Sequence, residues 1–234
     1  SLLTSGLLVE GTVLLTGGDN YSTTSNNYRS NDLVGHWALD ENSSTNIAIN
    51  GTGNTTLNGT IYGSPLRIVG VKGGAFKFDG NDDRIVISNN SALELDKYTV
   101  SLWIYPEKND EGFTCVFGRN GRNYSIWLGG SNHATRPYIH HRFGEAENVN
   151  EGIANFNLTG WNRWYHIACS NGGIGGLART YVNGTFIVNN QRYERKVMGD
   201  LIRNQTAPLN IGVDPSNEGS VNQYFLGMMD DIRL

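Results

Sequence analysis

The chain has 234 residues, 17% of them charged, a formal net charge of −4 and 30 glycines. A phosphate-tracking surface needs clustered Lys and Arg, so this balance excludes a nucleic-acid binder, and no apolar run approaches the roughly 18 residues of a membrane span. The density of Gly, Asn, Ser and Thr suits many short strands joined by tight turns, and 5 Trp and 11 Tyr supply rings for sheet packing or for a sugar-binding face.

Residues 6–15 read as two short apolar strands broken at Glu10-Gly11, and residues 17–32 are polar with almost no apolar content. Residues 1–32 are therefore expected to form an N-terminal attachment segment and linker, joining the chain to another domain, another subunit or a fibre. The apolar start lacks a basic n-region and a cleavage motif, so it does not read as a signal peptide. With no initiator Met, the sequence reads as processed or as a segment of a longer chain.

From Leu33 strands arrive regularly. Residues 34–39 form the first, followed by a long Asn/Gly/Thr loop to about Gly63. Residues 74–79 alternate, with Phe76 and Phe78 on one face, and end in the turn Asp79-Gly80-Asn81-Asp82, where Gly80 supplies a conformation that a Cβ would penalise. Residues 84–88 put Ile85 and Ile87 on one side, and residues 98–105 are a β-branched and aromatic run stopped by Pro106. Further strands are predicted at 113–117, 124–128, 138–143, 164–170, 178–182, 185–188, 209–213 and 225–234. Asn183-Gly184 predicts a type I′ hairpin, because both central positions of that turn need positive φ. In residues 164–168 alternation sends Trp164, His166 and Ala168 to one face and Tyr165 and Ile167 to the other, making His166 a packed sheet residue. The basic cluster at residues 192–196 includes Glu194 and reads as a solvated strand end. No helical periodicity interrupts the pattern, which predicts an all-β, two-sheet antiparallel sandwich.

Cys115 and Cys169 permit one disulfide or two buried thiols. Sequons at Asn20, Asn42, Asn50, Asn54, Asn58, Asn89, Asn123, Asn157, Asn183 and Asn204 would be surface glycosylation acceptors in a eukaryotic secreted protein, and a chain this rich in Asn, Ser and Thr also generates them by chance.

Six motifs occur in order along residues 33–234: His36-Trp37-Ala38-Leu39-Asp40-Glu41, Gly73-Gly74-Ala75-Phe76-Lys77-Phe78-Asp79-Gly80-Asn81-Asp82-Asp83, Tyr98-Thr99-Val100-Ser101-Leu102-Trp103-Ile104, Trp164-Tyr165-His166-Ile167-Ala168, Tyr181-Val182-Asn183-Gly184 and Gly227-Met228-Met229-Asp230-Asp231-Ile232-Arg233. Together they resemble the laminin-G-like branch of the concanavalin A-like lectin/glucanase superfamily. The resemblance implies a jelly-roll domain over residues 33–234 and a structural Ca²⁺ where the first and last strands meet. The matching positions are Asp40, Asn50 in the loop that follows, and Asp230, with Asn50 standing where an Asp is common. Against this, Asp79, Asp82 and Asp83 can simply shape a turn, and Asp230 and Asp231 can flank a strand in water.

The superfamily also contains glucanases with paired carboxylates on one strand. Only Glu145-Ala146-Glu147 offers that spacing with glutamates, within residues 144–152, which read as a polar loop. No nucleophile elbow, zinc-type cluster or phosphate loop accompanies it, and His140-His141 would point to opposite faces of a strand. The reading is therefore a non-enzymatic, extracellular recognition or adhesion module displayed on a cell surface or virion, with a glycan or surface polysaccharide as partner. Trp127, Tyr138, His140 and Arg142 are the candidate glycan-binding residues, the last three on one face by alternation. The alternative is a structural decoration or fibre protein that acts through protein–protein contacts, forming a homo-oligomer or larger assembly through residues 1–32.

Overall fold

The computed structural model describes residues 32–42, 44–108, 113–119, 123–129, 137–145, 148–173, 176–187, 195–196, 206–213 and 224–234. The attachment segment proposed for residues 1–32 thus lies outside the described residues except for Asp32.

Among the described residues seventeen strands are formed: β1 (His36–Trp37), β2 (Ile47–Ala48), β3 (Gly59–Tyr62), β4 (Leu66–Val69), β5 (Gly74–Asp79), β6 (Arg84–Ile87), β7 (Tyr98–Pro106), β8 (Phe113–Arg119), β9 (Asn123–Gly129), β10 (Tyr138–Glu145), β11 (Asn148–Asn157), β12 (Tyr165–Asn171), β13 (Leu177–Val182), β14 (Thr185–Phe186), β15 (Arg195–Lys196), β16 (Leu209–Ile211) and β17 (Leu226–Arg233). They build two antiparallel sheets. The nine-stranded sheet runs β14-β13-β12-β7-β17-β5-β4, with β1 on β17 and β15 on β13; the eight-stranded sheet runs β11-β10-β9-β8-β16-β6-β3-β2. First and last strands meet, His36 opposite Arg233 and Trp37 opposite Ile232, as a jelly-roll sandwich requires.

Alternation decides what the sheets enclose. Along β7 the residues Tyr98, Val100, Leu102 and Ile104 are buried, while those between them are exposed or half-buried. Phe76, Phe78, Ile85, Ile87, Tyr165 and Ile167 join them in one core, as the pattern of apolar residues predicts. Burying so many large side chains between two sheets is the main source of stability in a sandwich. Asn54 and Asn90 each cap a short 3₁₀ turn by accepting an N–H two residues on, which tucks Leu57 and Leu93 into the same core. The Trp37 indole N–H donates to the Leu57 carbonyl at 2.9 Å, tying β1 to the following loop.

The predicted hairpin is present, with Asn183 at φ 50°, Gly184 at φ 75° and Val182 opposite Thr185. Gly80 adopts φ 79°, and a Cβ there would lie 3.1 Å from Leu226. Two expectations are corrected, and the choice left open for the cysteines is settled in favour of two thiols. The long loop to Gly63 contains β2 and β3, and β4 follows it, all too short or too polar to show a sequence period. The stretch 144–152, read as a loop, carries the end of β10 and the start of β11, because backbone pairing of Tyr138–Phe143 with Gly152–Asn157 extends the hairpin regardless of side-chain polarity. Cys115 and Cys169 are separate buried thiols on different sheets, and burial pushes the Cys169 thiol up to about 12.

Candidate functional site

On the eight-stranded sheet, Ile126, Leu128, Ile139, Val116 and Phe117 point into the core, so their alternating neighbours face outward. Register brings Cys115, Trp127 and His140 side by side on β8, β9 and β10, with Tyr138 one step along, opposite Gly129. A Cβ at Gly129 would lie only 2.0 Å from the Tyr138 ring, so the missing side chain is what lets that ring lie across β9. Phe113 meets Tyr138 and His140 edge-to-face, both with ring centroids 5.4 Å apart. Trp127 and His140 are buried beneath this outer layer, Tyr138 is half-buried, and Phe113 is 40% exposed. Burial also raises the Tyr138 hydroxyl above its ordinary pKa. Three of the four sequence-predicted glycan residues therefore gather on one face. Arg142 follows on the same strand, opposite Ser125, with its side chain outside the described residues.

His141 points the other way, as alternation demands. It is wholly buried in the core, 3.1 Å from the Tyr98 hydroxyl of the opposing sheet, and desolvation lowers its pKa to about 3.

The second candidate site lies on the nine-stranded sheet, around the turn between β4 and β5. Asp230 on β17 is fully buried, and its Oδ2 accepts the backbone N–H groups of Val71 at 2.7 Å and Lys72 at 2.8 Å. Asp40 accepts the N–H of Gly74, at the far end of the same turn. The glycines are needed here, since a Cβ at Gly70 would lie 2.5 Å from Asp230 and one at Gly73 2.4 Å from Asp40. Asp230 Oδ1 has no hydrogen-bond partner. Burial, with the nearby charges of Asp231 and Asp40 adding to it, raises its pKa to about 6 against the two hydrogen bonds. Asn50 stands apart from this pair. Its Oδ1 accepts from His36 N at 2.9 Å and Thr52 N at 3.3 Å, and its amide donates to Thr52 Oγ1 and the Asn54 carbonyl. At 3% exposed, Asn50 is also a sequon residue closed to modification in the folded protein.

Next to Asp230 the strand bulges, with Asp231 at φ 48°. Asp231 pairs with His36 at 2.7 Å and Arg233 at 3.0 Å. Burial pushes its carboxyl up, but these partners and Lys72 outweigh it and hold Asp231 below its ordinary pKa. Asp79, Asp82 and Asp83 also cluster, with one carboxylate oxygen from each within 4.8 Å. Asp83 is committed to the turn, accepting Ser64 N at 2.6 Å and Asp79 N at 3.0 Å, while Asp79 accepts Asn81 N at 2.8 Å.

One residue of the ring-bearing face, Phe113, escaped the sequence reading. Phe113 looked like any strand-opening apolar residue.

Comparison with known proteins accords with this architecture. A laminin-G-like family model of the Concanavalin A-like lectin/glucanases superfamily matches residues 79–234. The adhesion G-protein coupled receptor V1 of Danio rerio is 25% identical over 145 residues, covering 60% of this chain but 2% of the receptor, so the chain spans a small fraction of that relative. Among solved structures, domain 4 of AbnA, a GH43 extracellular arabinanase from Geobacillus stearothermophilus in complex with arabinotriose, superposes with a TM-score of 0.51 at 20% identity, covering 86% of this chain and 91% of that one. A botulinum neurotoxin type C structure, described as dependent on two ganglioside molecules for cell entry, gives a TM-score of 0.57 at 12% identity, covering 88% of this chain and 48% of that one. At these identities the structural likeness is one of fold.

Proposed function

The chain belongs to the Concanavalin A-like lectin/glucanases superfamily, and from that premise we propose that it is a non-catalytic glycan-recognition or adhesion module working at an extracellular surface. The observation that carries this reading is the ring cluster on the outer face of the eight-stranded sheet. Phe113 and Tyr138 offer partly exposed rings backed by Trp127 and His140, and flat rings suit the apolar faces of sugars, while Arg142 on the same strand face can donate to hydroxyls or carboxylates. The arabinotriose complex of the arabinanase domain and the gangliosides of the neurotoxin agree with such a role. A glycan array probed with the whole chain tests it. Binding to at least one printed oligosaccharide, lost in Tyr138→Ala, is expected; binding retained in that variant would move the site off this face.

Calcium belongs to the same proposal as a structural ion. Asp230 Oδ1 is a buried acceptor with no partner, and Asp40 brings a second carboxylate to the same turn, a donor set that suits a hard cation. Asn50 is not a ligand in this arrangement, because its oxygen already takes two N–H groups.

A further inference from the structure

Exposed large apolar side chains are concentrated on one side of the sandwich. Among the described residues they are Phe113 and a group within residues 47–71, namely Ile47, Ile49, Tyr62, Leu66, Val69 and Val71. β4 ends the nine-stranded sheet and β2 ends the eight-stranded one, and among the described residues neither strand pairs on its outer side. Arg67 of β4 ties the two edges together, donating to the Thr45 carbonyl ahead of β2 at 2.9 Å. A groove of about 510 Å³ lies along them, with Thr45 and Asn46 on one wall and Leu66 and Arg67 on the other.

An open edge presents a row of unpaired backbone N–H and C=O groups, and natural proteins guard such edges with charge or cover. On β4 that guard is missing. Its one charged residue, Arg67, is turned over the buried Phe76 ring, 4.5 Å from the centroid. Leu66 and Val69 are left 64% and 87% exposed. The patch is aliphatic apart from Tyr62, whose ring already carries the Arg84 guanidinium at 4.4 Å. Aliphatic side chains on an open edge suit an added apolar strand, whereas a sugar stacks on free flat rings.

Residues 6–15, outside the described residues, hold such a sequence: Leu7, Leu8, Val9, Val13, Leu14 and Leu15 flank Glu10-Gly11. In a single copy of the chain the β4 edge stays open, which makes it available to a neighbour. Residues 16–31 join the apolar segment to the domain. Fully extended they reach about 50 Å, beyond the roughly 40 Å breadth of a domain this size.

We propose that β4 is the acceptor edge for residues 6–15 of a second copy of this chain, which add to it as a strand and cover Leu66 and Val69. Donor and acceptor are different parts of the chain, so each copy engages one neighbour through its segment and another through its edge. A heterologous contact of this kind closes into a ring or runs on as a fibre. It is independent of the glycan reading, whose rings lie on β8, β9 and β10, away from the β2 end of their sheet.

The test uses the whole chain. Light scattering should show the unmodified chain assembling as its concentration rises. Val69→Lys puts a charge on the edge at an exposed position, so it should weaken assembly roughly 10-fold or more while leaving the melting point nearly unchanged. Disulfide trapping then identifies the occupant. Val69→Cys is mixed under oxidising conditions with isotope-labelled Leu8→Cys or Leu14→Cys, the native Cys115 and Cys169 being buried. A cross-linked pair of mixed mass is expected in at least one mixture. Pairs linking Val69→Cys only to itself would mean edge-to-edge association and overturn the proposal. A Leu8→Cys/Val69→Cys double variant that cross-links only within one chain would assign the edge to the chain's own segment, with the same consequence. An unmodified chain that stays monomeric, or assembly undiminished by Val69→Lys with no mixed pair trapped, would also overturn it.

Discussion

Asp230→Asn should stabilise the calcium-free protein at neutral pH, although it alters a buried residue holding two hydrogen bonds. In the native chain, burial moves this carboxyl from an ordinary 3.8 to about 6. Carrying it ionised at neutral pH therefore costs roughly 3 kcal/mol relative to the unfolded chain. The sign is opposite to that of a salt-bridged carboxylate. The penalty is full above about pH 6, shrinks as the native carboxyl takes up a proton below that, and vanishes below about 3.8, where the unfolded chain is protonated too. Asparagine removes the charge and keeps an oxygen to accept from Val71 and Lys72, but its amide nitrogen replaces an unmet acceptor with an unmet donor, at about 1–2 kcal/mol. The net gain is about 1–2 kcal/mol, or a rise in Tm of about 2–8 °C for a chain of this size. Melts in chelator and in millimolar calcium, at neutral pH and near pH 4, check each part. Calcium should raise the melting point of the native chain and leave the variant unmoved, and near pH 4 the stabilising effect of the substitution should be largely gone. A variant that melts lower than the native chain in chelator at neutral pH would refute the reasoning about Asp230, and an unchanged midpoint of the native chain on adding calcium would remove the ion.

Two further outcomes follow from other parts of the molecule. His141, lowered to about 3 by burial, binds no proton in the native state until far below the pH at which the unfolded chain does, so it drives acid unfolding as pH falls from about 6.5 toward 3. His141→Gln, which can still meet the Tyr98 hydroxyl, should flatten that part of the pH–stability profile, and an unchanged acid limb measured by denaturant titration would show that other groups control it. Removing residues 1–32 should leave the melting point of the domain nearly unchanged and lower its oligomeric state in light scattering; a truncated chain that keeps the full assembly would place the attachment elsewhere.

The sandwich was legible because its strands are two-sided. Phe76 and Phe78, Ile85 and Ile87, or Val100 and Leu102 sit two residues apart with polar neighbours between, and that period alone sends them inward. β2 and β4 were not legible, since two to four residues cannot display a period, and β11 was hidden by its polar composition. The site was legible by halves. Alternation put Tyr138, His140 and Arg142 on one face, but it could not bring up Phe113, which meets the Tyr138 and His140 rings only because β8 and β10 flank β9 in the sheet. The same reach explains the calcium corner. Asp40 and Asp230 are far apart in sequence, and only the resemblance to a family tied them together, while the use of Asn50 by its own turn is a local fact that no family pattern reveals.

The two candidate sites also constrain each other. Asp40 and Asp230 lie at the nine-stranded sheet, whereas Trp127, Tyr138 and His140 lie on the outer side of the eight-stranded one, with the packed core between them. An ion at the first site cannot bridge to a sugar at the second, so it can change glycan binding only by changing the fraction of chains that are folded. That fraction is already near one for any domain several kcal/mol stable, and a shift of a few kcal/mol scarcely moves it. Calcium dependence of binding well below the melting temperature would therefore point to a different metal position, beside the ring-bearing face. With both sites placed as proposed, calcium-independent binding combined with a calcium-dependent melting point is the expected pattern.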